Sequence, residues 1–289
     1  MRRVVVLALA LPFLFLAPTR LNAQAPHAVG NSTWLDVYRD SAARLIGEAV
    51  SSTFAWDRLA VLTDTIGNRL SGTPALDRAI QWAVAEMNKD GLENVHTERV
   101  MVPKWVRGKE SAEIVEPVRQ PLVMLGLGDS VGTTVDGIQA ELLVVQTFDE
   151  LEAKATAARG KIVLLNVPFT TYGETVRFRS GGASRAAKHG AVAMLIRAVG
   201  PAGLRTPHTG ALQYASDTRK IPAASIASED ADQLQRMADR GGRIVLRLKM
   251  EAHVEPDVES ANVVGEIRGR ERPDEVVVVS GHLDSWDVG

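Results

Sequence analysis

The chain has no cysteine in its 289 residues. That absence rules out a disulfide framework and lipid attachment through an N-terminal cysteine. Aromatic residues make up only 5% of the sequence, and no basic run interleaves with them. With a formal charge of −2, this composition argues against nucleic acid as a partner. No apolar run is long enough to span a bilayer comfortably. The best candidate, from Val4 to Ala17, falls short of the about 20 residues a spanning helix needs. What is there instead is a basic start (Met1-Arg2-Arg3), that short apolar stretch, and a small-residue exit at Leu21-Asn22-Ala23. This is the pattern of a secretory signal peptide over residues 1–23. A retained N-terminal anchor is the alternative. Cleavage after Ala23 removes Arg2, Arg3 and Arg20 and no acids, leaving a more acidic chain. The expected location is secreted or periplasmic, with no membrane attachment after cleavage.

Residues 31–66 carry apolar positions at helical spacing, among them Leu45, Ile46, Val50, Leu59, Leu62 and Ile66. After the loop Gly67-Asn68-Arg69-Leu70-Ser71-Gly72, Thr73-Pro74 predicts a helix start, and Gly91 its end. Val95–Val102 and Ser111–Val118 read as two strands, expected to form an antiparallel pair at a sheet edge. From about 121 to 249 the character changes to short strands and helices. Strands are expected at Glu141–Gln146, Lys161–Val167, Ala191–Ile196, Ile221–Ile226 and Arg243–Met250. Helices are expected at Phe148–Ala158, Ala183–His189 and Glu229–Arg240, the last capped by Ser228. Ala261–Ile267 and Val276–Ser280 then resume the first sheet. The predicted fold class is α/β, one mixed sheet with helices interrupted by an inserted β/α module. The divisions are 1–23, 24–120, 121–249 and 250–289.

The most informative residues close the chain: Val276-Val277-Val278-Val279-Ser280-Gly281-His282-Leu283-Asp284-Ser285-Trp286-Asp287-Val288-Gly289. Four valines predict a strand buried on both faces. His282 and Asp284 follow its carboxyl end, where open α/β sheets place their ligand crevice. A histidine there can bind a metal through one ring nitrogen while a carboxylate accepts from the other. A strand-end pair that merely packs fits the same residues, and placement alone leaves the two readings balanced.

Gly281-His282-Leu283-Asp284-Ser285-Trp286-Asp287-Val288-Gly289 resembles the first metal-binding motif of the co-catalytic zinc exopeptidase family of aminopeptidase Y and carboxypeptidase Q, on its carboxypeptidase Q-like branch. Gly67-Asn68-Arg69-Leu70-Ser71-Gly72 resembles a loop these enzymes carry before an early helix. Gly160-Lys161-Ile162-Val163-Leu164, Lys188-His189-Gly190-Ala191 and Ile221-Pro222-Ala223-Ala224-Ser225-Ile226 resemble parts of an inserted protease-associated (PA) domain. The resemblance implies a pair of zinc ions about 3.5–4 Å apart that activate a water for attack on a peptide carbonyl. It implies that His282 is a zinc ligand and that Asp284 is the carboxylate orienting it. The family's bridging aspartate, Glu-Glu pair and remaining ligands would lie beyond Gly289. The chain is therefore expected to be an incomplete zinc-exopeptidase domain, inactive by itself. Short peptides or dipeptides are the implied substrates, and a homodimer is compatible with the family. Aminopeptidase, carboxypeptidase and dipeptidase action are not distinguished.

Other residues carry weaker signals. His189 sits at a predicted helix end, favourable to the dipole. His208 lies in the turn-rich Thr206-Pro207-His208-Thr209-Gly210, which is read as a solvated loop or one wall of a substrate cleft. His253, Glu251, Glu255, Asp257 and Glu259 read as a charged connector. Ser184 and Ser225 lack a nucleophile elbow, and Gly126-Leu127-Gly128 lacks the rest of a dinucleotide fingerprint. Arg69 fits either a bidentate contact to a substrate carboxylate or simple packing. The rival readings are a non-catalytic PA-domain binding module with a vestigial zinc site, and a family member doing a non-proteolytic reaction such as cyclisation.

Overall fold

The computed structural model describes residues 33–287. The expected signal segment 1–23 lies outside them, as do Val288 and Gly289 of the terminal motif. The chain forms two compact bodies, one up to Trp56 and one from Asp57 onward. The first contains α1 (Thr33–Asp36) and α2 (Arg39–Ser51). The apolar spacing predicted helix and helix is found, but Leu45, Ile46 and Val50 are all exposed. Helix α3 (Phe54–Val61) leads into a π turn over Leu62–Ile66.

In the second body, α4 (Pro74–Lys89) starts as the sequence predicts. Thr73 is extended, its hydroxyl accepts the Leu76 N–H at 3.4 Å, and Pro74 occupies the first turn. Leu76, Ala79 and Ala83 are its buried face. The next two strands differ from expectation. β1 (Glu93–Val106) and β2 (Glu110–Glu116) do not pair with each other. β1 instead forms an antiparallel ribbon with β10 (His253–Glu266), with Val100 opposite Ser260 and Val106 opposite His253. The segment read as a charged connector is thus strand from His253 onward, with Glu251 just before it. Glu255 pairs with Lys104 at 2.8 Å, Glu259 pairs with Arg99, and Glu251 accepts the Lys109 N–H at 2.9 Å. Cross-strand charge pairing links Glu255 and Glu259 to β1.

β2 belongs to an eight-stranded sheet. Its other strands are β3 (Gln120–Leu122), β4 (Met124–Gly126), β5 (Ile138–Val145), β6 (Ile162–Leu165), β7 (Ala193–Arg197), β8 (Ala223–Ile226) and β9 (Val245–Met250). The order is β3-β2-β9-β5-β6-β7-β8-β4. The centre, β5 to β8, is parallel, and antiparallel strands flank it on both sides. β6 is buried at every position, as a parallel strand covered on both faces must be. Ile162 and Leu164 enter one core cluster, Val163 and Leu165 the other. Helices α5 (Phe148–Ala153) and α6 (Ala155–Ala158) break at Lys154 inside the single helix predicted there.

Helix α7 (Tyr172–Lys188) is far longer than the predicted Ala183–His189. Three internal glycines masked it, since glycine disfavours helix interiors by about 1 kcal/mol each. One of them has a packing reason. A Cβ on Gly182 would lie 2.5 Å from Leu165 Cδ1, so glycine permits close approach of helix to sheet. The signal that could have located the start is Thr171 followed by Glu174; the Thr171 hydroxyl accepts the Glu174 N–H at 3.4 Å. Helix α8 spans Ser228–Asp239, and here the cap assignment was wrong. Ala227 is the capping position, and Ser228 is the buried first helical residue with its hydroxyl unpartnered.

Val276–Val279 form no strand, and each valine is at least 80% exposed. A strand needs a neighbour to take up its N–H and C=O groups. Among the described residues none pairs with this segment.

Candidate metal centre

His282 and Asp284 are in contact, with Nδ1 lying 2.8 Å from Asp284 Oδ1. An ionised carboxylate can only accept, so this contact assigns the proton to Nδ1. In the neutral imidazole this leaves the Nε2 lone pair free, on a side chain that is 91% exposed. This is the arrangement in which imidazole serves as a metal ligand. The donor set fits zinc as far as it goes, but it is one ligand. Among the described residues, no group of three or more His, Cys, Asp and Glu side chains comes together, and a zinc site needs three or four.

The loop bearing the motif is held from two sides. On one, Arg69 is buried and reaches both the loop and its own segment. Its Nε donates to the Leu283 carbonyl at 2.9 Å, and its guanidinium also reaches the Gly67 carbonyl. The backbones close a second link, with Ser285 N–H on the Arg69 carbonyl at 2.9 Å and Arg69 N–H on the Ser285 hydroxyl at 3.2 Å. Burial pushes the Arg69 pKa down and the nearby Asp284 charge opposes it. Two of the Arg69 guanidinium nitrogens, Nε and Nη1, are engaged by backbone carbonyls. Asn68 Nδ2 donates to Asp287 at 2.6 Å.

On the other side, Arg107 follows β1 and pairs with Asp287. Trp286 lies against Gly128, where a Cβ would come within 2.2 Å of the indole Cη2. Gly126-Leu127-Gly128 thus has a purpose unrelated to nucleotides. Gly126 admits the Glu110 carboxylate, which accepts its N–H at 3.0 Å, and Gly128 admits the indole. Burial raises the Glu110 pKa, with Arg107 opposing. Arg107 carried no signal in the sequence, and although Asn68 and Trp286 lie in motifs that did, their contacts with Asp287 and Gly128 join segments too far apart in the chain for spacing to reveal.

The remaining histidines are placed as follows. His208 is half-buried, edge-on to Tyr172 with ring centroids 6.4 Å apart. Burial first, and then the Arg179 charge, push its pKa down from the usual 6.5. The solvated-loop reading is therefore corrected. Its segment is pinned, with the Thr209 hydroxyl donating to the Gly126 carbonyl at 3.1 Å and Arg179 donating to the Thr209 carbonyl at 3.1 Å. His189 ends α7, and its Nε2 lies 3.0 Å from Glu152. Ser184 and Ser225 are structural: Ser184 accepts the Ala215 N–H at 2.8 Å, and Ser225 donates to the His208 carbonyl at 2.8 Å.

Residues 118–234 match the PA domain family, a range that takes in β3 to β8 and the first part of α8. Carboxypeptidase Q of Xenopus laevis is 50% identical over 260 residues, covering 89% of this chain and 55% of the relative. The chain is a carboxypeptidase Q homologue. Human carboxypeptidase Q is 51% identical over 235 residues, 81% of this chain and 50% of the relative. Thus the chain spans about half the length of the carboxypeptidase Q relatives it matches. Among solved structures, a peptidase M28 precursor from Shewanella amazonensis superposes with a TM-score of 0.81 at 35% identity. That match covers 87% of this chain and 59% of the other. A zinc aminopeptidase from Bacillus subtilis superposes with a TM-score of 0.51 at 21% identity, over 75% of this chain and 47% of the other. At that identity the second match speaks to fold alone. No described helix is long and apolar enough to cross a membrane.

Proposed function

We propose that the protein is a secreted or periplasmic zinc-dependent exopeptidase acting on the terminal bonds of short peptides or on dipeptides. The observation that carries this reading is the His282–Asp284 contact, which leaves Nε2 free, in a chain about half identical to carboxypeptidase Q. His282 holds one zinc. Asp284 keeps its proton on Nδ1 and so keeps the ligand lone pair on Nε2. Arg69, Asn68 and Arg107 fix the loop that carries both. Two zincs, when bound, supply a Lewis acid and a water of lowered pKa. The further ligands and the general base belong to the half of the relatives' length that this chain does not span. Residues 121–249 act as the inserted PA domain, between catalytic parts at 24–120 and 250–289, and restrict entry to small substrates. β2 (Glu110–Glu116) is then a strand lent to the insert's sheet from outside those limits.

A protein of the relatives' full length tests the activity. It should release terminal residues from short peptides, lose this on chelation, and regain it with zinc. Peptide binding without hydrolysis would favour the binding-module reading. Export is tested by intact mass of the secreted protein. A mass starting after Ala23 is expected, and a chain still beginning at Met1 would sink the signal-peptide assignment.

A further inference from the structure

Arg107 joins four segments at one point. It donates to the Glu110 carboxylate at 3.2 Å, to the Gly126 carbonyl at 2.8 Å, and to the Asp287 carboxylate. Asp287 in turn accepts from Asn68. The three charged side chains are 12%, 9% and 16% exposed, so this is not a solvated surface pair. Beside it, the Trp286 indole sits on Gly128. Gly128 is also where the His208 segment is anchored: its N–H donates to the Gly210 carbonyl, and its carbonyl accepts the Leu212 N–H, both at 3.0 Å.

We infer that Arg107 is a positioning residue that latches the inserted sheet to the metal-motif loop. It sets the direction of His282 and holds the Gly126–Gly128 and His208 segments at a fixed place beside it. The inference rests on the proposed role of His282 but turns on Arg107 and Gly128, which lie outside the motif. The planar fork of arginine is essential, since it addresses a carbonyl and two carboxylates at once. A lysine ammonium is a point charge with no such geometry. A charge-preserving change should therefore break the latch. Gly128 offers an independent route, because an added methyl displaces Trp286 without altering any charge.

The test measures amide hydrogen exchange in this chain at Ser285, which donates to Arg69, and at Leu164 in the parallel sheet as a control. Arg107→Lys, Asp287→Asn and Gly128→Ala should each speed exchange at Ser285 about tenfold or more with Leu164 unchanged, since local opening is separable from global unfolding. In the enzyme of the relatives' length, the same variants should lower kcat about tenfold or more while KM moves less than about twofold, the signature of misplacement rather than lost binding. Unchanged Ser285 exchange in all three variants would overturn the latch. So would equal acceleration at Ser285 and Leu164, which would make Arg107 merely structural. If the unsubstituted enzyme hydrolyses nothing, the proposed function fails, and the exchange measurement still decides the latch.

Discussion

His282→Ala should abolish peptide hydrolysis in an enzyme of the relatives' length, and Asp284→Asn should lower it about 10–100-fold. The two effects differ because the residues act differently. On the proposed role, removing the imidazole would delete a bond to the metal, whereas removing the Asp284 charge would leave that bond but free the ring to rotate and change tautomer. The contact of 2.8 Å between Nδ1 and Asp284 Oδ1 is what fixes both. Zinc content after dialysis gives a second reading: His282→Ala should lose metal, and Asp284→Asn should hold it more weakly. The 289-residue chain itself should keep no zinc through dialysis, because a single imidazole falls short of the three or four ligands required. Two tightly held zincs in this chain, or an unimpaired His282→Ala enzyme, would show the site to be wrongly assigned.

A large loss of stability is expected from truncating Leu164, in the core of the parallel sheet. This side chain is fully buried in β6 with parallel neighbours on both sides. Leu164→Ala should cost about 2–5 kcal/mol, combining lost apolar transfer with a cavity that a sheet cannot close. Against a typical total of 5–15 kcal/mol that is a large fraction. Thermal unfolding followed by circular dichroism should show a Tm lower by on the order of 10 °C. A cost under about 1 kcal/mol, the range of ordinary surface changes, would mean that Leu164 does not sit in a closely packed core.

Much of the parallel sheet was legible because its strands are short, apolar and buried on both faces, and glycines punctuate them. Helix α7 was not, since Gly173, Gly181 and Gly182 lower local propensity, and only packing against β6 and β7 restores it. The partner of β1 was illegible for another reason. Register with β10 depends on residues on the far side of the whole insert, whereas a local reading pairs strands that are adjacent in sequence. Val276–Val279 carry a strand's composition without a partner, and composition cannot create one. At the site, His282 and Asp284 were legible because their relation is local. Arg107, Asn68 and the seat of Trp286 on Gly128 are relations between distant segments, and no spacing rule encodes them.

The 14-residue ribbon strands bear on how such a chain can be made. β1 emerges first and must wait for everything between Val106 and His253 before β10 exists to meet it. Closing so long an unstructured loop would be entropically costly and slow. The intervening sheet removes that cost when it folds first, because β2 lies antiparallel beside β9 with Glu110 opposite Met250. That pairing brings the chain's exit point next to its entry point. Once the insert is folded, the remaining closure is only a few residues on each side, and β10 is delivered to β1 nearly in register. In vectorial synthesis the insert would act as the template for assembling its own host. Substitutions that delay its folding should therefore delay the pairing of β1 with β10 by at least as much, although neither ribbon strand is altered.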